Sequence, residues 1–297
     1  QKGKELGMKV WIYDENSYPS GFAGGHVPAQ MPESNSEGIR LRPYFFSSLK
    51  KIDVERIKHI FKKEGETWKE IFPGNGEEHG TTGEYCLLAL EDYPTSKWFA
   101  GHSYVDLLKP GVTEKFMEIT MSGYEKTLGA EFGRRVPGVF TDEPNTNTRS
   151  SQTIRYTPDL YEQFEKLWGY RLEENLMSLI TETGDWKKVR HNYQSTILHL
   201  FIERWSKPWY EYTESKGLLW TGHYWEHGWP SPQEGPDNMA MYAWHQQPAI
   251  DLLFNAEDLR PDQFGNVRNV KELSSVANQF GRHRTLSETY GGAGWEL

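Results

Sequence analysis

One pattern of polar and apolar positions recurs four times along the chain: a glycine that ends a helical stretch, a short apolar run, and then acidic residues. Glycine ends helices readily because it adopts positive φ angles without strain. A short apolar run after it is typical of a strand buried in a parallel sheet. The runs cover residues 8–13, 136–140, 218–225 and 283–287, and the acids that follow them are Asp14 with Glu15, Asp142 with Glu143, Glu226, and Glu288. This alternation predicts an α/β fold with parallel strands.

The segments between these runs carry helix signals. Helices are expected over 112–128, 157–169 and 271–280, each bounded by capping or stop residues. A longer helical stretch over 189–215 contains Pro208, which lacks a backbone N–H and should kink or divide it. The apolar run 249–254 is a candidate for one more strand.

The rhythm favours a (β/α)₈ barrel of the TIM type. A complete barrel takes about 250 residues, or roughly 30 per strand–helix unit. The intervals between the acids are longer than that, so we expect residues 1–297 to form a partial barrel that is incomplete at both ends. The missing strands would belong to the remaining parts of a larger polypeptide. A doubly wound open sheet is the alternative, but residues 20–25 match neither of its usual glycine-rich phosphate loops.

Residues 26–103 do not follow the helix–strand rhythm. They are polar, and glycine or proline interrupts them at 73–76 and 80–83. Possible strands lie at 40–49 and 84–90. We interpret 26–103 as an inserted subdomain with β structure of its own.

Composition narrows the classes of function. The formal net charge is −9, from 33 basic and 42 acidic residues, and a nucleic-acid-binding protein would need the opposite sign. No apolar stretch approaches the roughly 18 residues of a membrane-spanning helix. The single cysteine, Cys86, excludes an internal disulfide and a multi-cysteine metal site. The 12 Trp and 16 Tyr residues either fill an aromatic core or offer stacking surfaces for sugars.

The acids at the strand ends are the candidate chemistry. In parallel α/β barrels the carboxyl ends of the strands meet at one rim, where catalytic groups lie. Glycoside hydrolysis requires two carboxyl groups across a cleft, one protonated and one ionised. A second acidic pair could hold a divalent cation such as calcium. Simpler roles stay open, because Glu143 could cap the next helix, Glu288 could be a loop acid, and Asp14 and Glu15 could pair with lysines.

Residues 223–227 read H-x-x-E-H, which is the pattern of a family of zinc proteases. That chemistry needs two histidines on one face of a helix. Here the run follows an apolar strand and precedes Gly228, Trp229 and Pro230, so we expect the match to be accidental. A serine hydrolase is disfavoured as well, because the chain contains no G-x-S-x-G elbow.

Five strings in matching order resemble glycoside hydrolase family 106, the α-L-rhamnosidases. They are 7–15 (GMKVWIYDE), 140–144 (FTDEP), 222–227 (GHYWEH), 235–239 (GPDNM) and 286–291 (LSETYG). The likeness covers most of the chain and is weakest over 26–103.

The resemblance implies a (β/α)₈ catalytic domain of a larger multidomain enzyme that depends on calcium and inverts configuration at the sugar. It implies that Glu143 is the general acid and that Glu288 is the general base that activates water. Glu226 is assigned to calcium or sugar binding. The other residues implied to line the pocket are Asp14, Glu15, Asp142, His223, Trp225, Asn238 and Tyr290.

The expected substrates are terminal α-L-rhamnosyl residues of plant glycosides or polysaccharides, including pectin-type glycans. Such polysaccharides favour a periplasmic or extracellular location for the full-length protein. Three alternatives remain at this point: a glycosidase for another sugar, a carbohydrate-binding domain that has kept the fold without turnover, and a zinc hydrolase that uses His223 and His227.

Overall fold

The computed structural model describes residues 2–14, 17–36, 38–49, 54–71, 82–148, 152–224, 226, 234–252, 264–289 and 291. The strands in this part of the chain are β1 (Ile12–Tyr13), β2 (Arg40–Ser48), β3 (Ile57–Glu64), β4 (Thr67–Glu70), β5 (Thr82–Glu91), β6 (Gly138–Asp142), β7 (Ile154–Arg155), β8 (Leu219–His223), β9 (Ala249–Leu252) and β10 (Leu286–Thr289).

The α-helices in the same ranges are α1 (Lys2–Glu5), α2 (His26–Gln30), α3 (Glu33–Ser36), α4 (Val112–Leu128), α5 (Leu160–Trp168), α6 (Leu176–Ile180), α7 (Trp186–Phe201), α8 (Lys207–Ser215), α9 (Asn238–Tyr242) and α10 (Phe264–Gln279). The helix predicted over 112–128 is confirmed as α4. The helix predicted between the cap Thr157 and the stop Gly169 is α5, which begins at Leu160 and ends at Trp168, just before Gly169, whose φ is 73°. None of the described helices has the length and apolar character to cross a membrane.

The parallel strands form the predicted framework. β1, β6 and β8 pair in that order, and β9 pairs with β10. A backbone hydrogen bond from Gln247 N–H to Trp220 O (3.1 Å) joins the residues just before β9 to β8. Each crossover between successive parallel strands includes a helix. The α/β fold is therefore confirmed, whereas the described residues provide five parallel strands and do not show a complete (β/α)₈ barrel.

The helical stretch around Pro208 is divided, as predicted. α7 continues into a π-helical turn over Ile202–Ser206, and α8 follows. Lys207 N–H donates to the carbonyl oxygen of Ile202, five residues earlier. Pro208 comes next and has no N–H to continue the ladder. The π-helical turn therefore lies directly before the proline, which removes a backbone hydrogen-bond donor.

The chain divides into two compact units. The first comprises residues 1–34, 96–147 and 198–297 and contains all five parallel strands. The second comprises residues 35–95 and 148–197. The indole side chains of Trp205, Trp209 and Trp220 are buried in the first unit, and the rings of Trp209 and Trp220 stack with their centroids 6.0 Å apart. Part of the high tryptophan content therefore fills a core.

The second unit is built on an antiparallel sheet with the strand order β4-β3-β5-β2-β7. β2 and β5 occupy the predicted strands at 40–49 and 84–90, whereas no strand was predicted at β3 or β4. The expected insertion over 26–103 differs from this unit in its bounds. The expected insertion does not include residues 148–197, which contain β7, the partner of β2. These two strands are more than a hundred residues apart, and such pairing leaves no pattern in the local sequence.

Gly222 allows β6 and β8 to approach closely just before their carboxyl ends. It pairs with Thr141 of β6 and has a φ of 142°, which residues with a side chain rarely adopt. A Cβ atom at this position would lie 2.0 Å from the carbonyl oxygen of Thr141. Any side chain at 222 would therefore push the two strands apart.

We expect Gly222→Ala to lower the free energy of unfolding by about 3 kcal/mol, because the methyl group overlaps backbone that cannot move aside. Gly123, an exposed residue in α4, has no described atom within 4 Å of a built Cβ. Gly123→Ala should therefore raise the free energy of unfolding by about 0.5 kcal/mol. Urea unfolding of the wild type and both variants measures the difference, and equal midpoints for the two variants would contradict the close approach of β6 and β8.

Candidate functional site

The carboxyl ends of the parallel strands bring acidic residues and one histidine together. Asp142 ends β6 and pairs in register with His223, which ends β8. Glu288 of β10 lies opposite Asp251 of β9. Glu143 directly follows β6, and its backbone N–H donates to the carbonyl oxygen of His223 (3.1 Å). The strand register therefore places these side chains on one rim.

His223 lies at the centre of this group and is only 1% exposed. Its Nε2 atom is 3.3 Å from Glu288 Oε2 and 3.8 Å from Asp142 Oδ1. Its Nδ1 atom is 3.9 Å from Glu143 Oε1 and has no hydrogen-bond partner among the described residues. Glu143 and Glu288 therefore face opposite nitrogens of one imidazole ring.

The surroundings of His223 favour its protonated form. Burial lowers the pKa of the imidazole, but the hydrogen bond with Glu288 and the charges of Glu226 and Asp142 raise it. The net result is a pKa of about 9. A protonated ring donates its Nε2–H to the carboxylate of Glu288. His223 therefore supplies a buried positive charge at neutral pH.

The carboxyl groups of Glu143 and Glu288 have pKa values shifted in opposite directions. Burial raises the pKa of Glu143 to about 9, since the effect of His223 is smaller than the combined effects of burial and the neighbouring carboxylates. The hydrogen bond with His223 lowers the pKa of Glu288, whose side chain is 48% exposed. Near neutral pH, Glu143 is therefore protonated and Glu288 is ionised. Paired groups whose environments separate their pKa values are typical of an acid and a base.

Glu143 has a φ of 45°, which is a left-handed conformation that costs a residue with a side chain about 1–3 kcal/mol. Three residues, which we call the clamp, hold this turn: Ser20, Tyr104 and Asn145. Ser20 N–H donates to Asp142 O (2.6 Å), and Asp142 N–H donates back to Ser20 Oγ (2.7 Å). The Tyr104 hydroxyl donates to Ser20 O (2.6 Å) and accepts from Asn145 N–H (3.4 Å). Asn145 Nδ2 donates to Glu143 O (3.0 Å), so the hydrogen-bond network returns to Glu143 itself.

Tyr13 and Asp14 support the same strand end from β1. Asp14 is buried, and its Oδ1 accepts a hydrogen bond from Ser20 Oγ (2.9 Å). The Tyr13 hydroxyl donates to the carboxylate of Asp142, and the Tyr13 ring stacks on Phe140 with centroids 5.7 Å apart. Burial raises the pKa of Asp142, although His223 and Tyr13 oppose this shift. Asp14 thus contacts the clamp, and its predicted contact with substrate stays a prediction.

Glu226 is fully buried in a network of protein donors. Its Oε1 accepts hydrogen bonds from Tyr224 N–H (2.9 Å) and from the Tyr242 hydroxyl (2.7 Å). The Arg268 guanidinium donates to the Glu226 carbonyl oxygen (2.6 Å). His223 ends a strand, and Tyr224 and Glu226 follow it outside any helix. These residues therefore lack the helical geometry that the H-x-x-E-H zinc chemistry requires.

Among the described residues, two groups of side chains could hold a metal ion, since one potential ligand atom of each member lies within 4.8 Å of the others. They are Asp142, Glu143 and His223, and His223, Asp251 and Glu288. Both groups use an imidazole nitrogen, whereas calcium takes oxygen ligands. Glu226 belongs to neither group. Neither of these two groups is an all-oxygen calcium site. The calcium dependence and the metal role of Glu226 stay predictions.

Four predicted site residues remain: Glu15, Trp225, Tyr290 and Asn238. Glu15, Trp225 and Tyr290 lie outside the described residues. Asn238 begins α9 and is buried, and its side-chain nitrogen has no hydrogen-bond partner among the described residues. Its predicted role in sugar binding stays a prediction.

Asp251 is the main residue that sequence reasoning missed. It is 5% exposed and lies within the cluster formed with His223 and Glu288. A signal was available, because Asp251 is the one charged residue inside the apolar run 249–254. Ser20 and Tyr13 had no comparable signal, since their partners lie 122 and 129 residues away.

No model of a known protein family matches the chain, and no curated protein sequence matches it. Among solved structures, the chain is similar to a rhamnosidase from Novosphingobium sp. PP1Y, with a TM-score of 0.53 and 17% sequence identity. The match covers 80% of this chain and 24% of the rhamnosidase chain, so the chain spans about a quarter of the length of that enzyme. At this identity the likeness concerns the fold, and it indicates a fold of the kind found in that glycoside hydrolase.

Proposed function

We propose that this chain carries the catalytic centre of a glycoside hydrolase of the α-L-rhamnosidase type, with inversion of configuration. The observation that carries the proposal is the pair Glu143 and Glu288, which face opposite nitrogens of His223 and have pKa shifts of opposite sign. The pair combines a protonated carboxyl group with an ionised one, and an inverting glycosidase needs both.

The proposed reaction is a single displacement at the anomeric carbon. Glu143 donates its proton to the glycosidic oxygen as the bond between that oxygen and the anomeric carbon breaks. Glu288 accepts a proton from a water molecule, whose oxygen forms the new bond on the opposite face of the sugar. Glu143 ends ionised and Glu288 ends protonated, and exchange with solvent restores both. The charge on His223 stabilises Glu288 in its ionised form before the reaction and Glu143 in its ionised form after it.

The identity of the sugar rests on two supports. One is the motif resemblance to the α-L-rhamnosidases, and the other is the fold likeness to a solved rhamnosidase. We propose terminal α-L-rhamnosyl residues of plant glycosides or pectin-type glycans as substrates, with Asp14, Asp142 and Asn238 among the sugar-binding residues. A panel of aryl glycosides that differ only in the sugar tests this choice, and faster release from another sugar would replace rhamnose in the proposal.

The two carboxyl groups should differ in how strongly they depend on the leaving group. Glu143→Gln should reduce kcat/KM by about 10²–10⁴-fold on an alkyl rhamnoside, because an alkoxide cannot leave without a proton. The loss should be much smaller on 4-nitrophenyl rhamnoside, because nitrophenolate leaves unaided. Glu288→Gln should impair both substrates similarly, since each needs an activated water.

The matched control is Glu165→Gln, which removes an exposed carboxylate on α5 and should leave both rates unchanged. If Glu143→Gln lost the same factor on both substrates, Glu143 would not be the acid. If every variant retained the activity of the wild type, the whole dyad would be wrong.

We expect a bell-shaped dependence of kcat/KM on pH. The rate should fall below the ordinary glutamate pKa of 4.5, because Glu288 has a lowered pKa and loses its negative charge only there. It should also fall above about pH 9, where Glu143 loses the proton that it must donate. Initial rates on an alkyl rhamnoside between pH 3 and 10 measure both limbs, and a fall beginning near pH 6 would contradict the raised pKa of Glu143.

Inversion has its own test. Glu143 and Glu288 contact different nitrogens of the His223 ring, at 3.9 and 3.3 Å. The proposed inversion requires their carboxyl groups to lie roughly 6.5–9.5 Å apart, with room for a water molecule, and not at the 5–5.5 Å of retaining enzymes. Proton NMR during the first turnovers should therefore show β-L-rhamnose as the initial product of an α-linked substrate. Initial α-L-rhamnose would assign a covalent intermediate instead.

A further inference from the structure

Two of the three segments that supply the clamp also present aromatic rings to solvent. Tyr18 precedes Ser20 by two residues, and Trp98 precedes Tyr104 by six. The residues Tyr18 and Trp98 are 41% and 56% exposed, although each carries a large apolar ring. We call these two residues the aromatic pair. Neither residue belongs to the buried core, and the function proposed above assigns no role to either of them.

The aromatic pair is a built feature of the surface. The indole N–H of Trp98 donates to the carbonyl oxygen of Tyr18 (2.6 Å), and the two rings meet edge to face with centroids 5.5 Å apart. Trp98 lies in a 3₁₀ turn that the Ser96 side chain caps by accepting from Phe99 N–H (3.3 Å). The Phe99 ring packs edge to face on the buried Phe22 at 5.2 Å. The rings are therefore held in place before any ligand binds.

The position of the pair relative to Glu143 follows from the strand order. β6, which precedes Glu143, has β1 on one side and β8 on the other. The loop after β1 carries Tyr18, and its Ser20 N–H reaches Asp142 O at 2.6 Å. The Cα atoms of Tyr18 and Ser20 are at most about 7.6 Å apart, because consecutive Cα atoms are separated by 3.8 Å. The other side of β6 leads to His223 and to Glu288, which contacts it.

In an inverting glycosidase the acid and the base lie on opposite faces of the sugar, so the attacking water and the leaving group occupy opposite sides of it. Water enters from the side of the base, whereas the departing group must lie beside the acid that protonates its oxygen. On the proposed function, the departing group is therefore assigned to the β1 side of Glu143, away from Glu288. A sugar ring presents C–H groups on its faces, and the electron-rich faces of exposed aromatic rings attract them.

We propose that Tyr18 and Trp98 form the subsite for the leaving group of the substrate, and that they bind the next sugar ring or a planar aglycone there. This inference rests on the proposed function and goes beyond it, because it assigns recognition of the part of the substrate that is released. The subsite gives no advantage to a substrate whose leaving group is too small to reach it.

The test compares methyl α-L-rhamnoside with a rhamnosyl disaccharide whose leaving group is a hexose. Trp98→Ala should raise KM for the disaccharide by about tenfold and leave KM for the methyl glycoside within about twofold of the wild type. Tyr18→Ala should act in the same direction, and Trp98→Phe should restore most of the affinity because it keeps an aromatic face. Phe280→Ala is the matched control, since it removes an aromatic ring that is 54% exposed beyond α10.

The outcomes separate the two proposals. If the wild type hydrolyses both substrates and Trp98→Ala changes both KM values equally or neither, the leaving-group subsite is wrong and the hydrolase proposal stands. If the wild type hydrolyses neither substrate under conditions in which it is folded by circular dichroism, the proposed function fails, and the subsite fails with it.

Discussion

A positive charge buried at His223 is the constraint on which the arrangement of the site depends. Such a charge is costly unless carboxylates compensate it. Asp142, Glu143 and Glu288 lie 3.3–3.9 Å from the ring, and they outnumber the single charge that they compensate. Ionising all three would leave an excess of negative charge in a largely buried site. The proton stays on the deeply buried Glu143 and leaves the half-exposed Glu288, so the difference in burial separates an acid from a base.

The parallel framework and most of its acids were accessible to sequence reasoning because their signals are local. A glycine stop, a few apolar residues and an acid occupy about ten positions, and the geometry of parallel strands then brings distant acids to one rim. The strand β9 was accessible for the same reason, as a run of apolar residues. These patterns did not predict which carboxyl groups are protonated. Protonation depends on how deeply each group is buried, and burial depends on the packing of the whole unit.

The features that sequence reasoning missed depend on contacts between distant parts of the chain. In β3 and β4 polar residues outnumber apolar ones, so the sequence carries no clear strand pattern. β7 is only two residues long and becomes a strand by pairing with β2. Ser20 lies in a glycine-rich loop that resembled no known motif, yet it binds the end of β6 through two hydrogen bonds. Such residues belong to the site through geometry alone, and their residue type carries no chemical signature.

The left-handed backbone at Glu143 has a consequence for how this chain changes over evolutionary time. Glycine relieves strain at such a position and asparagine relieves part of it, so selection for stability alone favours substitutions that delete the carboxyl group. The catalytic role proposed for the Glu143 carboxyl group would oppose this drift. On the proposed function, we expect descendants that lose the activity to accumulate glycine or asparagine at position 143, and descendants that keep the activity to retain the glutamate.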